Sequence, residues 1–314
     1  MTKPRPFRFG VNLADIPEGS TLGEEARTFE ALGYEVLSCP DHLNHPMSPM
    51  DPMVMLAAAA EATTDIQLQP MVLANDARHP ALLAKQAATL DNLSGGRFAL
   101  GMGAGWYGPD FSATGVGFAP APERISRLEE AIAVIRGLHS GEPFSFRGEH
   151  YTVENVTGSP ALKRSPLPLL IGGSGPRILG LAARVADTVA LNMGLPIGWE
   201  KPTTEAPYAT MTDQKLQWLG DSAGEKLNDV EIQTSIFAAA ITERDPNEVL
   251  APMAAMLNST PEALAGCPHA LCGTQSACIE EIVRWRERWG ISYISIPAMM
   301  AREFAPVVAQ LRGA

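Results

Sequence analysis

The chain has 314 residues, with 24 basic against 35 acidic side chains and a formal net charge of −11. So acidic a balance argues against nucleic acid and anionic membrane surfaces, which need clustered Lys and Arg, and points to a small-molecule substrate. The length accommodates either two domains or one (β/α) barrel of about 250 residues or more.

In chain order, Phe7–Leu13 alternates like a strand, and 21–32 carries apolar positions at helical spacing closed by Gly33. Residues 34–39 form a second strand running into Pro40-Asp41-His42, with a helix over 53–63 after a Pro-rich loop. The third strand is 66–73 with its helix at 80–93, and the fourth strand is 96–103. A glycine-rich stretch, 104–121, precedes an amphipathic helix over 123–139 with Leu128, Ile132, Ile135 and Leu138 on one stripe. The segments 143–146 and 150–153 read as a small hairpin. After it come a fifth strand at 167–171, a sixth at 185–191, a polar insertion over about 194–229, a seventh strand spanning 230–241, a helix at 274–289 and an eighth strand at 290–296.

Eight strands alternating with helices predict an α/β fold, a (β/α)8 TIM barrel with insertions after the fourth helix and after strand six, as a single domain over 1–314. No apolar run reaches the length of a membrane span, and Met1–Pro6 leads into a strand without a signal-peptide core, so a cytosolic protein is expected. Four cysteines are too few for a disulfide framework. Cys267, Cys272 and Cys278 surround His269 without C-x-x-C spacing, in a segment that reads as helical and apolar, which argues against zinc.

In such barrels ligands lie at the C-terminal ends of the strands. That rule selects Asp41 and His42 after strand two, Asn75 and Asp76 after strand three, and Ala104, Gly105, Trp106 and Tyr107 after strand four. After strand five it selects Gly172-Gly173-Ser174-Gly175-Pro176-Arg177, and after strand six Asn192. The glycine loop running into a helix reads equally as a phosphate site or as a plain strand-to-helix turn. His42 is the acid/base candidate, its alternative being an exposed loop residue behind a capping Asp41.

Taken together, Ser38–Leu43, Arg78-His79-Pro80, Leu93–Trp106 and Ile171–Arg177, in that order, resemble the luciferase-like monooxygenase superfamily, and within it the coenzyme F420-dependent oxidoreductases. The resemblance covers nearly the whole chain. It implies a (deaza)flavin in the barrel mouth: F420 by the Asp41-His42 pair, with FMN as the alternative. Carried over by position, Asp41 bonds the ring, His42 exchanges a proton, a non-prolyl cis peptide falls at about Met71-Val72, and Gly172, Gly173 and Ser174 take the phosphate. Ala104 and Gly105 join the cofactor site, and Trp106 and Tyr107 face the substrate. The sugar-phosphate dehydrogenases of that branch carry a glutamate where Trp106 stands, and a Lys/Arg trio after strands six to eight is lacking here. The expectation is therefore hydride transfer to or from a small neutral organic substrate, with an FMN-dependent monooxygenase or a non-catalytic barrel binding a phosphorylated ligand as alternatives, and with a homodimer left open.

Overall fold

A computed structural model of the chain describes residues 5–45, 48–193, 208–257 and 259–314. Its first half runs β1 (Arg8–Asn12), α1 (Leu22–Ala31), β2 (Val36–Cys39), α2 (Pro52–Ala62), β3 (Gln67–Pro70), β4 (Leu73–Ala74), α3 (Pro80–Leu93) and β5 (Leu100–Gly103). There follow α4 (Gly108–Thr114), α5 (Ala121–Leu138), the hairpin strands β6 (Phe144–Arg147) and β7 (Thr152–Val156), β8 (Leu169–Gly173), α6 (Pro176–Val185), β9 (Thr188–Leu191) and α7 (Tyr208–Ala223). The chain continues through β10 (Glu231–Ser235), β11 (Ala238–Ile241), α8 (Pro246–Met256), α9 (Pro261–Leu264), β12 (Ala270–Gly273), α10 (Gln275–Trp289), β13 (Ile291–Pro297) and α11 (Ala301–Leu311).

The main sheet is hydrogen-bonded in the order β3-β2-β1-β13-β10-β9-β8-β5-β4. Its two end members, β3 and β4, are pieces of one strand interrupted at Met71-Val72, whose peptide bond is cis as the resemblance implies. Both ends of the order thus belong to one stretch of chain, so the sheet closes on itself and its nine pieces amount to the eight parallel strands of a (β/α)8 barrel. No helix among the described residues is long and apolar enough to cross a membrane.

Packing divides into two compact units, each assembled from separated stretches of chain. One joins Ala14–Arg27 to Leu37–Ile171. Here Asp51 caps α2 by accepting from Met53 and Val54 N–H, and the His79 ring caps α3 by accepting from Ala81 N–H. Arg97 donates to the carbonyls of Ala60, Thr63, Ile66 and Ser94, occupying acceptors that the end of α2 would otherwise leave open. Gly101 is dictated by close approach, because a β-carbon there would fall on the Pro70 carbonyl oxygen. The predicted stripe of Leu128, Ile132, Ile135 and Leu138 is buried on α5.

The other unit joins Met1–Leu13, Thr28–Val36 and Gly172–Ala314. At the N-terminal ends of its strands, Arg8 pairs with Glu231 at 2.6 Å and lies over the Tyr293 ring, while Thr188 donates to the same carboxylate. That end of a barrel serves stability.

Four sequence-based expectations need correction. The glycine-rich stretch contains α4, whose Asp110 and Phe111 are buried. The expected strand 230–241 is two strands: Ile236 N–H still bonds Ser295 O, but Phe237 N–H turns to His269 O, and β11 then pairs with β12 rather than with the barrel. A run of β-forming residues cannot show which partner takes each half. The segment around Cys267, Cys272 and Cys278 is not one helix, since Cys272 lies in β12 and Cys278 in α10. Val185 ends α6 rather than starting a strand.

The expected insertion over 194–229 lies partly outside the described residues, at 194–207, but 208–223 is the helix α7. Its buried residues are Tyr208, Thr212, Lys215 and Leu219, a stripe at helical spacing that is half polar and so hidden from a hydrophobic pattern.

Candidate active site

The end of β2 delivers Asp41 and His42, and each is held by a different partner. His42 Nδ1 lies 2.7 Å from Asp110 Oδ2, and the other oxygen of Asp110 accepts from Asn44 N–H at 2.8 Å. A carboxylate only accepts, so Nδ1 carries the hydrogen and Nε2 is left to exchange a proton with a ligand. Asp110 is 5% exposed, and the 16% exposure of the His42 side chain keeps the imidazole within reach of solvent.

Aromatic rings enclose this imidazole. Trp106 and Tyr107 stand edge-on to it, with ring centroids 6.1 and 5.7 Å away, and His45 lies at 4.7 Å. Burial, and then the charge of His42, hold His45 below the ordinary histidine value, so His45 stays neutral more readily than a free imidazole.

Asp41 is bidentate to Arg78, at 2.6 and 2.9 Å, and accepts from Ala74 N–H at 2.9 Å. Arg78 also donates to Asp51, the cap of α2. The ends of strands two and three are thereby locked together, and Met71 N–H bonds Cys39 O at 2.8 Å beside the cis bond. Four lone-pair positions on a carboxylate less three donors leave Asp41 one acceptor position.

After β5, Ala104 and Gly105 are gripped through their carbonyl oxygens by Arg124, which is 3% exposed. Gly105 has φ +74°, and a β-carbon on it would press on Phe111 at 3.0 Å. Of the other strand-end candidates, Asn75 is buried, Asp76 pairs with Arg127 at 3.3 Å, and Asn192 N–H bonds Gly173 O.

The glycine loop ends β8 and opens α6 at Gly175 with no side-chain cap, in contrast to α2, α3 and α10. An uncapped helix start presents backbone N–H groups and the positive end of the helix dipole. In the same unit Lys215 is buried, donates to the carbonyls of Asn192 and Met193 at 2.5 and 3.2 Å, and is pushed down by burial to about 8.

Asp110, Arg78 and Arg124 hold candidate-site residues in place, and reading the sequence missed them. Arg78 was visible only as part of the third helix's opening. Asp110 had no signal, because the helix that buries it was not expected. Burial pushes the thiols of Cys267 and Cys272 up to about 11 and that of Cys278 to about 12, so they are thiols rather than thiolates.

A closed eight-stranded barrel with a histidine–carboxylate pair after strand two and an uncapped glycine loop after strand five defines a TIM-barrel protein with its polar groups at the strand ends. The family model described as luciferase-like monooxygenase matches residues 6–261, and the chain belongs to that family.

It is similar to an F420-dependent glucose-6-phosphate dehydrogenase of Nakamurella multipartita, 29% identical over 304 residues that cover 92% of this chain and 84% of the relative. Similarity extends to an FMNH2-dependent dimethylsulfone monooxygenase of Pseudomonas fluorescens, 28% identical over 234 residues covering 73% of this chain and 62% of that one. To an uncharacterized protein of Mycobacterium tuberculosis it is 34% identical over 179 residues, 51% of this chain, and it spans 61% of that relative's length. The solved structure of a coenzyme F420 dependent tetrahydromethanopterin reductase from Methanopyrus kandleri superposes with a TM-score of 0.76 at 18% identity, over 98% of both chains, which shows the fold.

Proposed function

We propose that the chain is an F420-dependent oxidoreductase, acting as one barrel domain, that moves a hydride between the deazaflavin and a small neutral organic substrate such as an enone, alcohol or carbonyl compound. The observation that carries this reading is the His42–Asp110 pair at the end of β2, where a proton-exchanging group with a fixed hydrogen position stands among aromatic rings. Similarity to the Nakamurella enzyme over most of both chains supports it.

The residues present fit such a cofactor. The end of β8 and the loop into the uncapped start of α6 would offer backbone to a phosphate at Gly172, Gly173 and Ser174. Asp41 keeps one acceptor position for a ring N–H, and Met71, Val72, Ala104 and Gly105 would border the ring. Bound there, F420 would supply two-electron hydride chemistry, and the protein supplies orientation and the proton. His42 gives or takes that proton at Nε2, while Asp110 holds Nδ1–H. Trp106 and Tyr107 exclude water and present an apolar wall to the substrate.

A sugar phosphate is disfavoured on two grounds. Trp106 occupies the position where the resemblance would put a glutamate, and Lys215, on α7, is already committed to the two carbonyl oxygens that follow β9.

Similarity to the Pseudomonas enzyme favours a second reading, an FMN-dependent monooxygenase. Titrating each cofactor against tryptophan fluorescence separates the two, and F420H2 oxidation over a panel of enones and carbonyls then names the substrate class. Tight FMN binding with none for F420 overturns the first reading.

A further inference from the structure

Tyr151 lies outside the residues assigned above, in the turn between β6 and β7, yet its position is closely specified. The Glu130 carboxylate on α5 accepts from three consecutive backbone N–H groups, those of Glu149, His150 and Tyr151, at 2.8, 2.9 and 3.1 Å. Burial opposes the charge, but these three bonds hold the Glu130 carboxyl below its ordinary value. Gly148 lets the turn close, because a β-carbon there would collide with the same carboxylate.

From this clamp the side chain reaches the end of strand three. Tyr151 Oη lies 3.2 Å from Asn75 Nδ2, and its ring stands edge-on to His79 at 5.6 Å. Asn75 Nδ2 also donates to Asp76 Oδ1 at 3.1 Å, which fixes the amide's orientation, since a carboxylate only accepts. An amide nitrogen only donates, so the phenol oxygen accepts from Asn75, and the phenol's own hydrogen has no acceptor among the described residues. Burial raises the phenol above its ordinary value, so it remains a donor at neutral and mildly alkaline pH. Among the described residues the charges that act on it are the carboxylates of Asp76 and Glu130 and the cation of Arg127, a balance that disfavours an anionic acceptor.

We propose that Tyr151 is a cofactor-binding residue, whose hydroxyl donates a hydrogen bond to a neutral oxygen, a ring carbonyl or a side-chain alcohol, of the cofactor bound at the end of strand three. Glu130 is its positioning residue, acting through the turn. The inference builds on the reading of this barrel mouth as a (deaza)flavin site.

The test is the dissociation constant of Tyr151→Phe for F420 and for FMN, from tryptophan quenching, with the melting temperature measured alongside. Loss of one hydroxyl donor should weaken whichever cofactor the wild-type chain binds by about five- to twentyfold, with the melting temperature unchanged within about 2 °C. Glu130→Gln should weaken the same constant by less, and the double variant should bind no worse than Tyr151→Phe, because the two act through one contact. An unchanged constant in Tyr151→Phe overturns the proposal, as does wild-type chain that binds neither cofactor. Wild-type chain that binds FMN alone removes the F420 reading and leaves Tyr151 to be judged on FMN.

Discussion

His42 Nδ1 and Asp110 Oδ2 lie 2.7 Å apart although 68 residues separate them in the chain. The pairing fixes one imidazole nitrogen and frees the other, which is what separates a proton-exchanging histidine from an exposed loop residue. His42→Asn keeps size and hydrogen bonding but removes the titrating group. Turnover should fall at least about a hundredfold while cofactor affinity changes less than about fivefold, measured by steady-state kinetics and quenching. A parallel fall in both would make His42 a cofactor-positioning residue, and no fall in either would assign the proton to another group.

Asp110→Asn tests the partner. An amide can still accept from Nδ1–H through its oxygen but does not offset the charge of an imidazolium. Turnover should drop by roughly ten- to a hundredfold, less than in the His42 variant, and combining the two should cost little more than His42→Asn alone. Additive losses in the double variant would place Asp110 in a separate role.

The glycine loop is best probed at Gly175, where a β-carbon would meet nothing within 4 Å. Gly173 is a poorer choice, because a β-carbon there would lie 2.5 Å from Ile178 Cγ2 and disturb the fold as well as the ligand. Gly175→Asp puts a carboxylate on the N-cap of α6. It should stabilise the cofactor-free chain by about 0.5–1 kcal/mol as a cap, and weaken cofactor binding at least about tenfold by repelling phosphate. Opposite signs in melting temperature and affinity are the signature; unchanged affinity would return the loop to a plain strand-to-helix turn.

Gly101→Ala should be strongly destabilising, since the added carbon meets the Pro70 main chain rather than a side chain that can move aside. A loss of at least about 3 kcal/mol in urea unfolding, or failure to accumulate as folded protein, is expected. A loss below about 1 kcal/mol would show that β3 and β5 can part without cost.

Acid sensitivity should trace in part to His269, which is buried, donates from Nδ1 to Ser235 O at 3.0 Å, and is pushed down by burial to about 3 from 6.5. Between those values the unfolded chain binds one proton more than the native chain does. Stability from this group is therefore complete above about pH 6.5 and is lost as pH falls toward 3, at up to about 1.4 kcal/mol per pH unit. Unfolding free energies between pH 6.5 and 4 should fall less steeply in His269→Gln than in the wild-type chain; equal slopes would remove His269 as the cause. His139, also held down by burial, adds a slope of the same sign to both proteins.

Reading strand ends from the sequence placed His42, Asp41 and the glycine loop correctly at the ends of β2 and β8, because apolar runs broken by glycine, proline and caps are local signals. The resemblance made Asp41 a ligand of the ring, but nothing in the sequence showed that Arg78 and Ala74 N–H would take three of its acceptor positions and leave one. The partner of a carboxylate 37 residues away leaves no trace in periodicity.

What the sequence alone determined is the eight-fold alternation of strand and helix, the places where it must turn, and thus which residues end each strand; these follow from backbone preferences and one-dimensional apolar spacing. Only the tertiary structure decided that α4 folds within a glycine-rich stretch and buries Asp110 against His42, that 230–241 divides between the barrel and β12, and that a half-polar stripe on α7 is buried with Lys215. Those outcomes depend on partners tens of residues away, and on polar groups whose burial becomes favourable only once a specific donor or acceptor meets them.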